Sequence, residues 1–369
     1  MRGLYIHIPF CKTICSYCDF PKRLADSKLF EIYSNRLIEE IKSYKNELKD
    51  ITSVYIGGGT PNVLPLEILK KIFDEIKPYL DNSIENSIEL NPELITDELC
   101  HLLNEYKFNR VSLGIQSFDP NSIKLLNRHH NLLDIKNAFN YLRGNNITNI
   151  NCDMMFGMPK TDLTSLKRDI EYVLSFNPTH ISYYSLIIEE HTKLCLDIKN
   201  KKIEEPDDDL EADMYEYINQ ELRKNGYKHY EVSNYALDGY ESIHNKLYWQ
   251  EEEYIGVGLG ASGFINGYRY LNNLGIDSYL NEFIREKNEI SIDEEKKEFM
   301  MLGLRMLDGV SIDSYVKRYK IDPTIDFPVI FDLVSRGLLI IENNRIKIPE
   351  EKIFLGNMVW RCFVWRKRE

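Results

Sequence analysis

The chain has 369 residues, 43% of them apolar and 28% charged, the composition of a folded globular protein, which excludes disorder and collagen-like repeats. Its 46 Lys and Arg against 58 Asp and Glu give a formal charge of −12, which makes it a poor generic partner for phosphate backbones or anionic membranes. At roughly 100–200 residues per domain the length predicts two domains, or one large α/β domain with an appendage.

From the N-terminus, MRGLYIHIPF is too short, and too broken by His7 and Pro9, for a secretory segment; no run of eighteen apolar residues occurs, so a cytoplasmic protein is expected. Short apolar runs then alternate with helical patterns, the signature of βα units. The expected strands are Leu4–Ile8, Val54–Ile56, Ile88–Leu90, Val111–Ile115, Ile150–Met155 and Ile181–Leu186. Helical spacing joins Phe30, Tyr33, Leu37, Ile41 and Tyr44 and recurs over 65–79, 120–126, 132–143 and 161–174. Six such units predict an α/β fold, a partial (βα)6 TIM-like barrel with its chemistry at the C-terminal strand ends.

The charged run Lys199 to Asp213 reads as a solvated connector into a helix whose N-terminus Asp207 to Asp209 favour. A second charged stretch, Arg285 to Glu298, precedes helices and the hairpin-like LLIIENNRIKIP, the order of a small winged-helix-like module. Residues 301–369 carry 12 basic and 9 acidic side chains, so this part is compositionally distinct from the acidic remainder. The expected organisation is a barrel core over 1–230, a connecting segment over 231–290 and the winged-helix-like domain over 291–369.

Of seven cysteines, Cys11, Cys15 and Cys18 crowd together as C-x3-C-x2-C directly after the first strand, while Cys100, Cys152, Cys195 and Cys362 are scattered and read as small buried hydrophobes. Structural zinc wants four ligands, usually with a second C-x2-C pair, and none follows. A [4Fe–4S] cluster normally takes four thiolates. Three would leave one iron open to a chelating small molecule. Further on, IGGGTPNVL follows a short strand, and three consecutive glycines let the backbone approach a ligand that a Cβ would exclude. Glu89, Gln116, Arg128 and Asp153 stand at or just after successive strand ends.

By spacing and context this constellation resembles the radical S-adenosylmethionine superfamily. The resemblance implies a [4Fe–4S] cluster on Cys11, Cys15 and Cys18 whose open iron holds the amino and carboxylate groups of S-adenosylmethionine. It makes Gly57, Gly58, Gly59 and Thr60 the loop beside the cofactor's amino group. Glu89 is then expected near the ribose and Arg128 near an anionic group, with Tyr5, Tyr17, Gln116 and Asp153 lining the pocket. The radical chemistry would be the cofactor's, the protein supplying position and electrostatics.

LYIHIPFC, CSYCDF, IGGGTP, IELNP, RVSLGIQSF, YEVSNYA and HNKLYW occur in that order and are similar to the coproporphyrinogen-dehydrogenase-like branch, including its C-terminal helical domain. The dehydrogenases of that branch carry a fourth cysteine two residues after the third; here Phe20 stands there, after Asp19. CDF is the pattern of the heme chaperones of the branch, whose further hallmark HNxxYW is present as His244, Asn245, Tyr248 and Trp249. The resemblance therefore implies a chaperone, without dehydrogenase activity, that binds heme at those four residues and passes it to an acceptor protein, a membrane protein met transiently among the candidates, as a monomer or homodimer. An imidazole can ligate the iron while Tyr and Trp cover the porphyrin, although an ordinary hydrogen-bonded histidine in an aromatic cluster reads the same way. The motif supplies no cation for the propionates beyond Lys246. The rival is the dehydrogenase itself, decarboxylating coproporphyrinogen III oxidatively.

Two patterns are discounted. Gly258-Leu-Gly260-Ala-Ser-Gly263 followed by Glu282 has dinucleotide-fingerprint spacing, but no βαβ context surrounds it, and Ala261-Ser262 stand where the branch often has a histidine. The tail WRCFVWRKRE mixes Trp360 and Trp365 with four basic residues, which an amphipathic terminal helix explains without nucleic acid.

Overall fold

The computed structural model describes residues 1–205 and 207–364; the end of the tail from Trp365 lies outside the described residues. Six parallel strands stand in chain order: β1 (Arg2–Ile8), β2 (Ser53–Gly58), β3 (Glu85–Leu90), β4 (Arg110–Gln116), β5 (Asn149–Phe156) and β6 (His180–Ser185). Between them run α1 (Ser27–Ser43), α2 (Leu66–Leu80), α3 (Asp97–Glu105), α4 (Pro120–Leu125), α5 (Leu132–Gly144) and α6 (Leu163–Ser175). All the expected strands and helices are present. The helix α3 is an addition to the expected set: Thr96 caps it by accepting from the Leu99 amide, and Leu99, Cys100 and Leu103 make its short buried stripe.

After α7 (Lys193–Lys199), the acidic connector delivers α8 (Asp208–Lys224), capped by Asp207, whose side chain accepts from the Leu210 amide. Antiparallel β7 (Lys228–Glu231) and β8 (Asn234–Ala236) finish one edge of the sheet. The segment 231–290 continues into α9 (Ile243–Trp249), which carries the HNxxYW residues, and then β9 (Glu253–Val257), β10 (Ser262–Ile265), β11 (Tyr268–Asn272), α10 (Ile276–Asn281) and β12 (Ile284–Glu289). Strand β9 lies parallel to β1, and β10 to β12 follow it antiparallel. The result is one twelve-stranded sheet in the order β12-β11-β10-β9-β1-β2-β3-β4-β5-β6-β8-β7, an incomplete barrel with a seventh parallel strand beside β1.

The remaining elements are α11 (Ile292–Gly303), β13 (Val310–Ser311), α12 (Ile312–Tyr319), α13 (Pro323–Asp326), α14 (Val329–Ser335), β14 (Ile340–Glu342), β15 (Arg345–Lys347) and α15 (Gly356–Val364), with a three-stranded sheet ordered β13-β15-β14. This is the helices-then-hairpin order of the sequence. Trp360 of α15 donates its indole N–H to the Leu304 carbonyl, and Arg305 lies over both Trp249 and Trp360, which ties these helices to α9.

Alternation along the parallel strands decides where polar chemistry sits. Leu4, Ile6, Ile8, Val54, Ile56, Ile88, Val111, Leu113, Ile150, Cys152, Met154 and Ile181 enter the hydrophobic core under the helices. The intervening positions are polar and bond to one another across the barrel interior: Tyr55 to Glu89, Ser112 to Asp153, Asn151 to Ser112, and His180 to Asn151. Period-two alternation sends successive side chains to opposite faces, so a polar barrel lumen and an apolar outer face come from the same strands. Among the scattered cysteines, Cys100, Cys152 and Cys195 are buried and Cys362 is partly so.

Candidate functional site

The three thiols lie on one loop at the C-terminal end of β1. Phe10–Cys11 pairs with Arg23–Leu24 and closes that loop, and its middle is pinned to neighbouring elements: the Ser16 amide donates to the Leu126 carbonyl at 3.0 Å, the Leu194 amide to the Ser16 carbonyl at 2.8 Å, and Asn127 Nδ2 to the Ile14 carbonyl at 2.8 Å. From below, the Tyr5 hydroxyl lies 2.9 Å from His7 Nδ1, and His7 Nε2 donates to the Pro21 carbonyl at 2.7 Å. Burial lowers the His7 imidazole to about 4, so the ring is neutral and its Nδ1 accepts from the Tyr5 hydroxyl.

Cys11 is buried, and Cys15 and Cys18 are partly so. Burial pushes the Cys11 thiol up to about 11, against a hydrogen bond with Thr60, and raises Cys18 in the same direction. Among the described residues no three His, Cys, Asp or Glu side chains converge on one point as ligands of a single ion. Arg128 reaches toward Cys15, its terminal nitrogen 3.6 Å from the thiol, and its Nε is buried without a hydrogen-bond partner. Three soft thiols on a pinned loop, with a cation turned toward one of them and an unmet donor beside it, are a donor set that fits an iron–sulfur cluster with an anionic ligand close by.

The glycine loop at the end of β2 faces this loop. A Cβ on Gly57 would stand 2.8 Å from the Glu89 carboxylate, and one on Gly58, whose φ is +115°, 2.5 Å from the His7 ring. The space that these glycines leave is thus filled by the protein's own side chains. Glu89 accepts from the Tyr55 hydroxyl at 2.8 Å and from the Gly58 amide at 3.1 Å. Burial, with the neighbouring charge of Asp153, lifts its carboxyl to about 7 against those two bonds. Asp153 is raised by burial as well, and is held by Ser112 and Asn151. Burial pushes the Tyr17 hydroxyl up, opposed by the charge of Arg128, and its ring packs against the small apolar cluster of Leu126, Met155, Met158, Leu186 and Leu194. Gln116 is buried with φ +68° at the end of β4. Of the residues expected around the cofactor, the glycine loop, Glu89, Gln116 and Arg128 stand at or beyond the C-terminal strand ends, whereas Tyr5 lies within β1 and Asp153 within β5.

The HNxxYW residues divide. The His244 ring is 1% exposed, with Nδ1 2.8 Å from the Ser53 hydroxyl and Nε2 2.8 Å from the Tyr248 hydroxyl, and it stacks on Tyr55. Burial lowers it to about 3. Ser53 begins β2 and Glu85, which accepts from the Ile243 and His244 amides, begins β3, so the imidazole sits at the amino end of the strands with both nitrogens engaged. Ligation of an iron by His244 would need one of these bonds to break. Tyr248 and Trp249, one turn on, line a cavity of about 380 Å³ together with Tyr5, His7, Phe20 and Arg269. Neither His244 nor Asn245 lines it, and Lys246 is absent from its wall.

Several contributors carry no motif: Tyr55, Ser112, Asn151 and His180 inside the barrel, and Arg269 at the cavity. The alternation of polar with apolar residues in SVYIGG, ENSIEL and NINCDM is the signal that could have found the interior set. The G-x-G-x-x-G stretch joins β9 to β10 with no helix after it, and its Gly260, Ala261 and Ser262 form part of the cavity wall.

Residues 5–173 match the model of the Radical SAM superfamily, and 290–355 match that of the HemN C-terminal domain. The chain is 37% identical to the heme chaperone HemW of Lactococcus lactis over 98% of its own length and 97% of that protein's. It belongs to the HemW family of the radical SAM superfamily. The HemW of Bacillus subtilis is 36% identical over 99% of both chains. Among solved structures, coproporphyrinogen III oxidase (HemN) from Escherichia coli, described as a radical SAM enzyme, superposes with a TM-score of 0.86 over 98% of this chain and 89% of that one at 19% identity. That likeness carries the fold, including the C-terminal helices. No described helix is long and apolar enough to cross a membrane.

Proposed function

We propose that this protein is a heme chaperone: it holds a [4Fe–4S] cluster on Cys11, Cys15 and Cys18, S-adenosylmethionine at the barrel mouth, and heme in the aromatic cavity, from which heme passes to an acceptor protein in the cytoplasm or at a membrane. The observation that carries the reading is the meeting of Tyr248 and Trp249 with Phe20 in one cavity, in a family whose curated relatives are named heme chaperones. A planar tetrapyrrole gains from aromatic faces.

When bound, the cluster supplies an open iron for the amino and carboxylate groups of S-adenosylmethionine and an electron for its cleavage. The chain's own residues do the positioning. Glu89, fixed by Tyr55 and the Gly58 amide, presents a carboxyl at the loop of Gly57 to Thr60, suited to ribose hydroxyls. Arg128 offers its guanidinium beside Cys15, suited to a carboxylate. Tyr5, Tyr17, Gln116 and Asp153 complete the wall.

The test is a hemin titration of the anaerobically reconstituted protein, followed by the Soret band, in wild type, Trp249→Ala and His244→Ala. Saturation near one heme per chain that weakens in Trp249→Ala supports the cavity. A spectral change in His244→Ala with affinity kept would assign His244 to the iron through a rearranged Tyr248. Absence of saturable binding overturns the heme reading in favour of dehydrogenase chemistry.

A further inference from the structure

We infer that His244 is a positioning residue for the cofactor site: its imidazole holds the ring of Tyr55, and Tyr55 in turn holds the Glu89 carboxyl that is to meet the ribose of S-adenosylmethionine. The inference rests on the cofactor reading above, and it gives the histidine of HNxxYW a task that needs no iron.

The contacts run up one face of three neighbouring strands. In register, Gly3 stands beside Ser53, Tyr5 beside Tyr55 and His7 beside Gly57, while Glu85 stands beside Ser53 on the other side. Period-two alternation turns these positions, and Glu89 with them, toward the same face. At its lower end small residues admit the imidazole. A Cβ on Gly3 would come within 3.0 Å of His244 Cε1, and the Ser53 hydroxyl lies 2.8 Å from Nδ1. Glu85 accepts from the His244 amide at 3.0 Å, and the Tyr248 hydroxyl lies 2.8 Å from Nε2. The ring is therefore fixed by its own backbone and at both nitrogens.

Tyr55 lies on this fixed ring, with centroids 5.1 Å apart and planes inclined by 28°. Tyr5 stacks on it too, at 6.1 Å. Rings from α9 and β1 restrict how Tyr55 can turn, and so they aim its hydroxyl. That hydroxyl donates to Glu89 Oε1 at 2.8 Å, and the Gly58 amide donates to Oε2 at 3.1 Å. One donor on each oxygen sets the plane of the carboxyl, whereas the Gly58 amide alone would leave it free to rotate. A ligand that meets a carboxyl already oriented does not have to order it on binding. His244 touches Tyr55 and not the carboxyl, so its influence passes through the Tyr55 hydroxyl.

The experiment is a double-mutant cycle on the anaerobically reconstituted full chain, with affinity for S-adenosylmethionine read by equilibrium dialysis. The variants are Tyr55→Phe, His244→Ala and Glu89→Gln, and each of the first two combined with Glu89→Gln; iron content and the denaturant midpoint report that the chain is assembled. Tyr55→Phe keeps the ring and loses only the donor, and it is expected to weaken the cofactor about fivefold, the effect of one hydrogen bond. His244→Ala is expected to weaken it by a similar factor, and His244→Gln, which also lacks the ring but can still form a hydrogen bond, takes its place where His244→Ala does not assemble. In the Glu89→Gln background neither substitution is expected to weaken binding further, whereas a role in general packing would cost the same in both backgrounds. Wild-type affinity in Tyr55→Phe or in the His244 variant, or an equal loss with and without Glu89, overturns the inference and leaves Glu89 at the ribose. Glu89→Gln binding as tightly as wild type removes the ribose reading, and this inference with it.

Discussion

One terminal nitrogen of Arg128 lies 3.6 Å from the thiol of Cys15, while the other donates to the Gly114 carbonyl at 2.5 Å and to Asn91 Oδ1 at 3.0 Å. The guanidinium is thus held by β4 and the loop after β3 and aimed at the thiol loop. Arg128→Leu leaves all three thiols in place, so iron content after reconstitution is expected to stay near wild type. The affinity for S-adenosylmethionine, read by equilibrium dialysis, should fall by about tenfold or more, the loss of a charge-assisted contact. Cys15→Ala gives the opposite pattern: the iron and the visible cluster chromophore are lost together. Wild-type affinity for the cofactor in Arg128→Leu would remove the anion-binding role.

Gly58 carries φ +115° with the His7 ring where a Cβ would go. Gly58→Ala meets both backbone strain and a ring that cannot retreat, because its two nitrogens hold Tyr5 and Pro21. A destabilisation of about 3 kcal/mol is expected from denaturant unfolding. A loss below about 1 kcal/mol would mean that the loop relaxes.

Glu40 on α1 is fully buried, and it accepts from the Gly258 amide at 2.8 Å, Asn272 Nδ2 at 2.6 Å and the Tyr279 hydroxyl at 2.6 Å. It fastens the G-x-G-x-x-G loop to the outside of the barrel. Glu40→Ala leaves these donors without their acceptor in the interior, which should cost about 3 kcal/mol in denaturant unfolding. The same variant should weaken hemin binding, because that loop forms part of the cavity wall.

Glu251 is buried between two guanidinium groups, those of Arg269 and Arg318, each 3.9 Å away. Burial pushes its carboxyl up to about 8, opposed by Arg318 and assisted by Glu295 and Glu298. A carboxyl raised by folding keeps its proton in the native state at pH values where the unfolded chain has lost it. Its contribution to stability is therefore fully present below the ordinary carboxylate range, near pH 4, and is lost as pH rises through about 8. Glu251→Gln removes that titration. Its unfolding free energy should fall less steeply than that of wild type across this window, with a relative gain on the order of 2 kcal/mol at the alkaline end. Parallel pH profiles would show that the guanidinium groups keep Glu251 ionised.

Much of the site was legible because its signals are local. The C-x3-C-x2-C spacing places three thiols on one loop whatever the rest of the chain does, and GGGTP directly after a strand marks a close backbone approach. The roles within HNKLYW were not legible in the same way. His244 and Tyr248 are one helical turn apart, and the sequence does not say that the imidazole would spend both nitrogens on Ser53 and the Tyr248 hydroxyl while Trp249 turned into a cavity. The partner Ser53 is 191 residues away. Phe20 likewise reads only as a missing cysteine until β9 and β10 are folded against β1.

The alternation of strand and helix, the helix caps and the three thiols at the first strand end each depend on residues within a few positions of one another, so they can be read along the chain. That β9 runs parallel beside β1 and carries its following loop onto Pro21, and that an aromatic cavity forms between Phe20 and Trp249, cannot be read that way. Those relationships join residues more than two hundred positions apart. They are fixed by which strand edges remain unpaired and which apolar faces remain uncovered once the βα units have assembled.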